Sequence, residues 1–219
     1  KKKKKKAAQS RMGGLAVVLD GLQDLGNRAA IMRSVEALGL LHVHEVSRGL
    51  KATARTRSIV NGAEKWLEVH PHADALGCAR DLHTAGFKLL AAMPPSAVQN
   101  GLPFESSPLE EVDFSPPVAM IFGEERHGVS DEMLRECDGA FFIPLLGLTE
   151  SLNVSVATAV CCHFGRHQRA QALGIPPGKG DLNAVELEAL VESYLQRGAD
   201  HNFTAGVRSS RSQNTVDRG

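Results

Sequence analysis

Short apolar runs alternate with amphipathic stretches along most of this chain. Leu15–Leu19, Leu89–Ala92 and Val118–Phe122 are continuous apolar segments of strand length, bounded by turn-forming or polar residues. Between them lie segments with three-to-four-residue apolar spacing. The pattern predicts strand 15–19, helix 28–38, strand 42–46, a basic loop 47–60, strand 66–69 and helix 73–85. Strand 87–92, a long Pro/Ser-rich connection 93–117 and strand 118–122 follow, then a helix opened by Ser130 as N-cap. Strand 140–143, a bend, and helices 153–172 and 183–197 complete the ordered part, the last with Asn183 and Glu186 at capping-box spacing. Strands that are apolar throughout and alternate with helices imply an α/β fold, a mainly parallel sheet with helices on both faces.

Three loops at strand ends carry the candidate chemistry. After the first strand comes Asn27, with Arg33 six residues later on the following helix. After strand 118–122 stand Gly123, Glu125 and Gly128 in a tight loop. After strand 140–143, the run from Ile143 and Pro144 through Ser151, Leu152, Asn153, Val154 and Ser155 combines a bend with the opening of a long helix. A bend exposes backbone groups, and a helix N-terminus offers unpaired N–H groups, so the two together make a ready ligand site. Each feature also has a plain structural explanation. Asn27 and Asn153 suit helix caps, Gly123 suits a turn, Glu125 a solvated loop and Arg33 a surface helix.

Taken in order and spacing, these three segments resemble the signature of the SPOUT RNA methyltransferases, in their TrmH-like 2′-O-ribose branch. The stretch Asn61–Trp66 and the helix ending Tyr194-Leu195-Gln196-Arg197 are similar to the tRNA-modifying subgroup. The resemblance covers about residues 15–197. It implies a SPOUT fold with a C-terminal deep trefoil knot, a homodimer, and S-adenosylmethionine as methyl donor. The implied reaction is methylation of a tRNA ribose 2′-hydroxyl, in the D-loop and on a guanosine. Ribosomal RNA methylation, or RNA binding without catalysis on the same fold, stays open as the alternative. By resemblance Asn27, Arg33, Glu125, Ser151 and Asn153 form the catalytic set, while Ala92, Gly123, Ile143 and Leu152 supply the donor pocket. Arg33 would sit at the target ribose. A guanidinium is a permanent cation, so stabilising a developing alkoxide suits it better than taking a proton. Arg28, directly after Asn27, departs from the small residue frequent there and would alter RNA contact.

Composition narrows the setting. With 219 residues, 42% hydrophobic and 23% charged, the chain has the make-up of a globular domain with appendages. The expected organisation is a disordered basic segment 1–14, a methyltransferase domain 15–197 and a disordered polar tail 198–219. No apolar run reaches membrane-spanning length. The four cysteines form no Cys-x-x-Cys pair, which favours reduced thiols and an intracellular, cytoplasmic setting, an organelle remaining open. Net charge is zero, but six of the 25 cations are Lys1–Lys6; without them 19 face 25 acids. RNA affinity must then come from local basic clusters, and Arg48, Lys51, Arg55 and Arg57 form one without an acid among them. His163 and His167, four residues apart, lack a third ligand at telling spacing and read as a polar helix flank, so no metal is expected.

Overall fold

The computed structural model of the protein describes residues 1–47, 62–97 and 102–197. Among these, strands β1 (Met12–Asp20), β2 (Leu40–Val46), β3 (Glu68–His72), β4 (Lys88–Ala92), β5 (Ser106–Pro108), β6 (Val118–Gly123) and β7 (Gly139–Phe142) form one sheet. Its order is β3-β2-β1-β6-β4-β7-β5, and every pairing is parallel. The helices are α1 (Lys2–Ala8), α2 (Leu25–Ala37), α3 (Ala75–Thr84), α4 (Asp131–Arg135), α5 (Val154–Ala172) and α6 (184–197). The mainly parallel α/β reading therefore holds.

Strand periodicity assigns the two faces. Leu15, Val17 and Leu19 of β1, with Val118, Met120 and Phe122 of β6, meet Ile31, Met32 and Val35 of α2 and Cys161 and Cys162 of α5. Ala16 and Val18, with Ala119 and Ile121, meet Cys78, Ala79 and Leu82 of α3 and Met133 and Leu134 of α4. Small residues on the second set bring α3 close, whereas the bulkier first set seats the longer helices. Burial on both faces is what an all-parallel sheet requires.

The chain leaves β1 toward β2 and β3 on one side, and later fills the other side with β6, β4, β7 and β5. In parallel sheets the crevice beyond the carboxyl ends of the strands at such a reversal is the usual ligand position. Asp20 ends β1 opposite Gly123, which ends β6.

Element bounds mostly shift by a residue or two, but three differences have clear causes. The segment 1–14 was expected to be disordered because the lysine run is too repetitive to fold; it instead forms α1 and the start of β1. Lysine is a good helix former, and Ala8 packs with Leu41, Leu190 and Tyr194. Arg11, 2% exposed, then locks the segment down. Its guanidinium donates to Tyr194 Oη at 2.9 Å, Glu36 O at 2.7 Å and Leu40 O at 3.1 Å, and pairs with Glu36 Oε1 at 2.6 Å. Second, the third strand is 68–72 rather than 66–69, since residues 64–66 form a single 3-10 turn that seats Trp66 edge-on against Tyr194. Third, the connection 93–117 contains β5, too short to show a period. The expected tail 198–219 lies outside the described residues.

Candidate active site

At the carboxyl end of β1 the chain turns into α2, and Asp24 caps that helix, its carboxylate accepting from the Asn27 N–H at 2.6 Å. Asn27 was expected to share the capping role. With Asp24 holding the helix start, the Asn27 amide is released for tertiary contact. Its Nδ2 donates to Glu125 Oε1, and its Oδ1 accepts from Asn153 Nδ2 at 3.0 Å. Asn153 caps α5, as expected, through bonds from Ser155 N at 2.9 Å and Ser155 Oγ at 2.6 Å. One hydrogen-bonded chain thus joins three loops, with Glu125 98 positions and Asn153 126 positions beyond Asn27 in sequence.

The Glu125 loop is fixed at both ends. Glu124 and Gly128 exchange backbone bonds at 3.1 and 2.8 Å, closing a tight reversal. Beyond it, Ser130 donates its N–H and hydroxyl to the buried Asp20 at 2.7 and 2.8 Å while capping α4. Gly123 is required here because a Cβ would fall inside the Gly128–Val129 backbone. Its side-chain-free approach therefore serves the loop itself, not the pocket lining. Gly123→Ala is expected to push the Glu125 loop outward and lower activity roughly tenfold or more, in keeping with the cost of small misplacements; steady-state kinetics on the folded variant measures it. The two neighbouring acids divide their work: Glu124 faces His127 Nδ1 at 3.3 Å, leaving Glu125 to Asn27.

Beside this chain lies an open pocket of about 170 Å³ at the ends of β4, β6 and β7. Of the four residues expected at the donor, Ala92, Ile143 and Leu152 come together in its lining, while Phe122 lines it in place of its neighbour Gly123. Phe141 and Cys161 give it an apolar floor, and Ser151 stands in its wall. Ser151 does not join the amide chain; no side-chain bond ties it to the first loop among the described residues. Backbone N–H groups from 145 to 152 find no partner among the described residues either.

Arg33 is exposed on the outer side of α2, whose inner side carries Ile31, Met32 and Val35. Six residues beyond Asn27, it stands about 9 Å along the helix axis. It makes no hydrogen bond or ion pair among the described residues, and the amide chain does not include it. Arg48, Lys51, Arg55 and Arg57 lie outside the described residues.

Arg28, expected to alter RNA contact where the family often has a small residue, is turned inward. It pairs with Glu45 Oε1 at 2.5 Å and with Glu64. Burial alone would lower its pKa, but the two carboxylates together raise it above the ordinary guanidinium value. Burial in turn raises the Glu64 pKa, opposed by Arg28. The residue thus ties α2 to the stretch around Glu64. That stretch and the end of α6, singled out separately in the sequence, form one unit. Tyr194 Oη donates to Trp66 O at 2.6 Å, and Arg197 reaches Lys65 O at 3.1 Å and Glu68 at 2.8 Å.

All four cysteines are free and buried. Burial pushes the thiols of Cys137 and Cys161 up to about 12. The structure also gathers His44, His72 and Cys78 on the α3 side of the sheet. No metal-ligand spacing along the chain marks this trio, although the alternating His42-Val43-His44 and His70-Pro71-His72 put same-side imidazoles on two strands.

The fold and these motif loops define a methyltransferase of the RNA-modifying kind, and the comparison with known families agrees. Residues 14–163 match the SpoU rRNA Methylase family, and the chain belongs to it. It is 36% identical over 163 residues to a tRNA (guanosine(18)-2′-O)-methyltransferase of Thermus thermophilus, spanning 74% of this chain and 79% of that one. A 23S rRNA (guanosine-2′-O-)-methyltransferase of Xanthomonas campestris is 35% identical over 170 residues, but these cover only 63% of its length and 76% of this chain. Among solved structures, the A. aeolicus TrmH/SpoU tRNA modifying enzyme superposes with a TM-score of 0.73 at 25% identity, covering 91% of this chain and 95% of the other.

Proposed function

We propose that this protein is a tRNA 2′-O-ribose methyltransferase that uses S-adenosylmethionine and acts on guanosine 18 of the D-loop, the nucleotide in the name of the Thermus relative. The observation that carries the reading is the amide chain Asn27–Glu125–Asn153 next to the Ala92–Ile143–Leu152 pocket. The stretch 61–66 and the helix end at 194–197, which resemble the tRNA-modifying subgroup, favour the tRNA relative.

The pocket fits the donor. Apolar walls from Phe122, Phe141 and Leu152 suit the faces of an adenine, and unpaired backbone N–H groups of the 143–152 bend suit its edge. When bound, S-adenosylmethionine supplies an electrophilic methyl on a sulfonium. The chain's own residues do the rest. Asn27, Glu125 and Asn153 hold the three loops in one arrangement, which orients the pocket against the RNA face. Arg33 stabilises negative charge as the ribose 2′-hydroxyl loses its proton, and its fork can grip the adjacent phosphate. Ser151 orders the bend above the pocket floor.

Arg48, Lys51, Arg55 and Arg57 are the proposed phosphate contacts on RNA. The bend threads a trefoil knot, and a second copy of the chain packs on it as a homodimer. Fully exposed Leu146 and Leu148, with half-exposed Val156 and Val160 on α5, support such a partner. No helix among the described residues is long and apolar enough to cross a membrane.

The test is incubation of the purified protein with methyl-labelled donor and unmodified tRNA or rRNA, followed by mapping of the ribose methyl. Label on the ribose of guanosine 18 is the expected result. Label on rRNA alone transfers the assignment to ribosomal RNA. Donor binding with no transfer to either RNA makes the protein a non-catalytic binder.

A further inference from the structure

On the sheet side away from α2 and α5, four of the chain's nine histidines stand together. His42 and His44 of β2 and His70 and His72 of β3 share one face by strand alternation. His42 Nδ1 lies 3.3 Å from His70 Nε2, and His44 Nδ1 lies 2.9 Å from His72 Nε2. The His44 ring stacks on His70 at 4.5 Å between centroids. From α3, packed over this face, Cys78 brings a buried thiol. Single ligand atoms of His44, His72 and Cys78 all lie within 4.8 Å of one another. Three residues on, Asp81 sets Oδ2 3.7 Å from His72 Nδ1, the ring nitrogen turned away from His44.

We propose that His44, His72 and Cys78 form a Zn²⁺ site, with Asp81 orienting His72 from behind. Zinc–nitrogen and zinc–sulfur bonds in tetrahedral geometry separate their ligand atoms by about 3.3–3.6 Å. That lies between the 2.9 Å imidazole pair and the 4.8 Å outer bound, so small side-chain movements close the site. Two imidazoles and a thiolate are the borderline-soft donor set that zinc takes. A carboxylate on the far nitrogen of a ligating histidine is the usual support for such a ligand. Access exists as well. His44 is reached from a cleft of about 870 Å³ that it lines together with His42, His70, Glu68 and Asp81, running toward α6. Water from that cleft can fill the fourth position.

Zinc binds a neutral imidazole and a thiolate, so the Cys78 thiol must give up its proton for the zinc–sulfur bond to form. Binding therefore exchanges Zn²⁺ for one proton, which leaves Cys78 for solvent as the zinc–sulfur bond forms. The role is a clasp. Among the described residues β3 is an edge strand paired with β2 alone, and the bound ion joins both strands to α3. Residues 48–61, with the four basic side chains, lie in sequence between the two clasped strands.

The decisive experiment strips the full-length protein with a chelator and titrates it with Zn²⁺, recording metal content, proton release and melting temperature. One zinc per chain, about one proton released and a melting temperature several degrees higher are expected. Co²⁺ in place of zinc should give a thiolate-to-metal charge-transfer band in the unmodified protein, which keeps the test valid even where a variant fails to fold. Cys78→Ser and His72→Ala should each weaken binding at least a hundredfold, and Asp81→Asn about tenfold, the lower end for a supporting carboxylate. Substoichiometric zinc, a cobalt spectrum without the thiolate band, or full affinity in Cys78→Ser overturns the proposal. So does loss of binding in His163→Ala/His167→Ala, which would place the ion on α5. None of these readouts uses methyl transfer, so the site and the enzymatic reading stand or fall separately.

Discussion

Arg33→Ala is expected to lower the rate of methyl transfer roughly 100- to 1,000-fold, the usual cost of deleting a donor that meets developing oxyanion charge. Folding should be untouched, since Arg33 is exposed and unbonded among the described residues. Donor affinity should be untouched as well, because Arg33 is absent from the Ala92–Ile143–Leu152 pocket. Arg33→Lys should recover only part of the loss, for an ammonium keeps the charge but not the two-pronged fork. Single-turnover kinetics with saturating donor measures the chemical step directly. Full activity in Arg33→Ala would remove the guanidinium from the mechanism and leave the amide chain as a purely architectural device.

The largest stability loss is expected from Asp181→Ala. Arg169, 6% exposed, pairs through Nε with Asp181 Oδ2 at 2.6 Å and donates Nη1 to the carbonyls of Phe114, Ser115 and Pro116 at 2.8–3.0 Å. Asp181 in turn accepts from the backbone of Gly13 at 2.5 Å and Gly14 at 3.1 Å. One ion pair thus ties α5 to the start of β1 and to the approach to β6. Gly14 leaves the room, since a Cβ there would strike the Arg169 guanidinium. Removing the carboxylate strands a buried cation and two backbone donors, at a cost of about 3–5 kcal/mol. For a chain of this length that is a drop of about 10 °C in melting temperature. Calorimetry decides, and a change of a degree or less would show that water replaces the carboxylate at little cost.

The sheet was legible because its strands are apolar on both sides, so burial and sequence carry the same signal. β1 and β6 declared themselves in this way. Strand order did not, since no local pattern records which strands become neighbours. Asn27 illustrates the limit at the site. Position and residue type marked it, but a cap and a tertiary contact look alike in sequence, and only the Asp24 bond separated them. Arg28 misled for the opposite reason. An arginine where the resembled family often has a small residue suggests an altered RNA contact, while its partners, Glu45 and Glu64, lie 17 and 36 residues away. The lysine run misled too, because repetition hid the Ala7–Ala8 end of the helix that docks on α6. Histidines two apart on neighbouring strands carry no metal signal in sequence, because their pairing depends on which strands become neighbours.

Asp24 bears the backbone duty at the head of α2, so the amide three residues later carries none of it. Anchorage and reactivity at this corner rest on different side chains. Changes in how the three loops are coupled can therefore accumulate without unravelling the helix that carries the arginine.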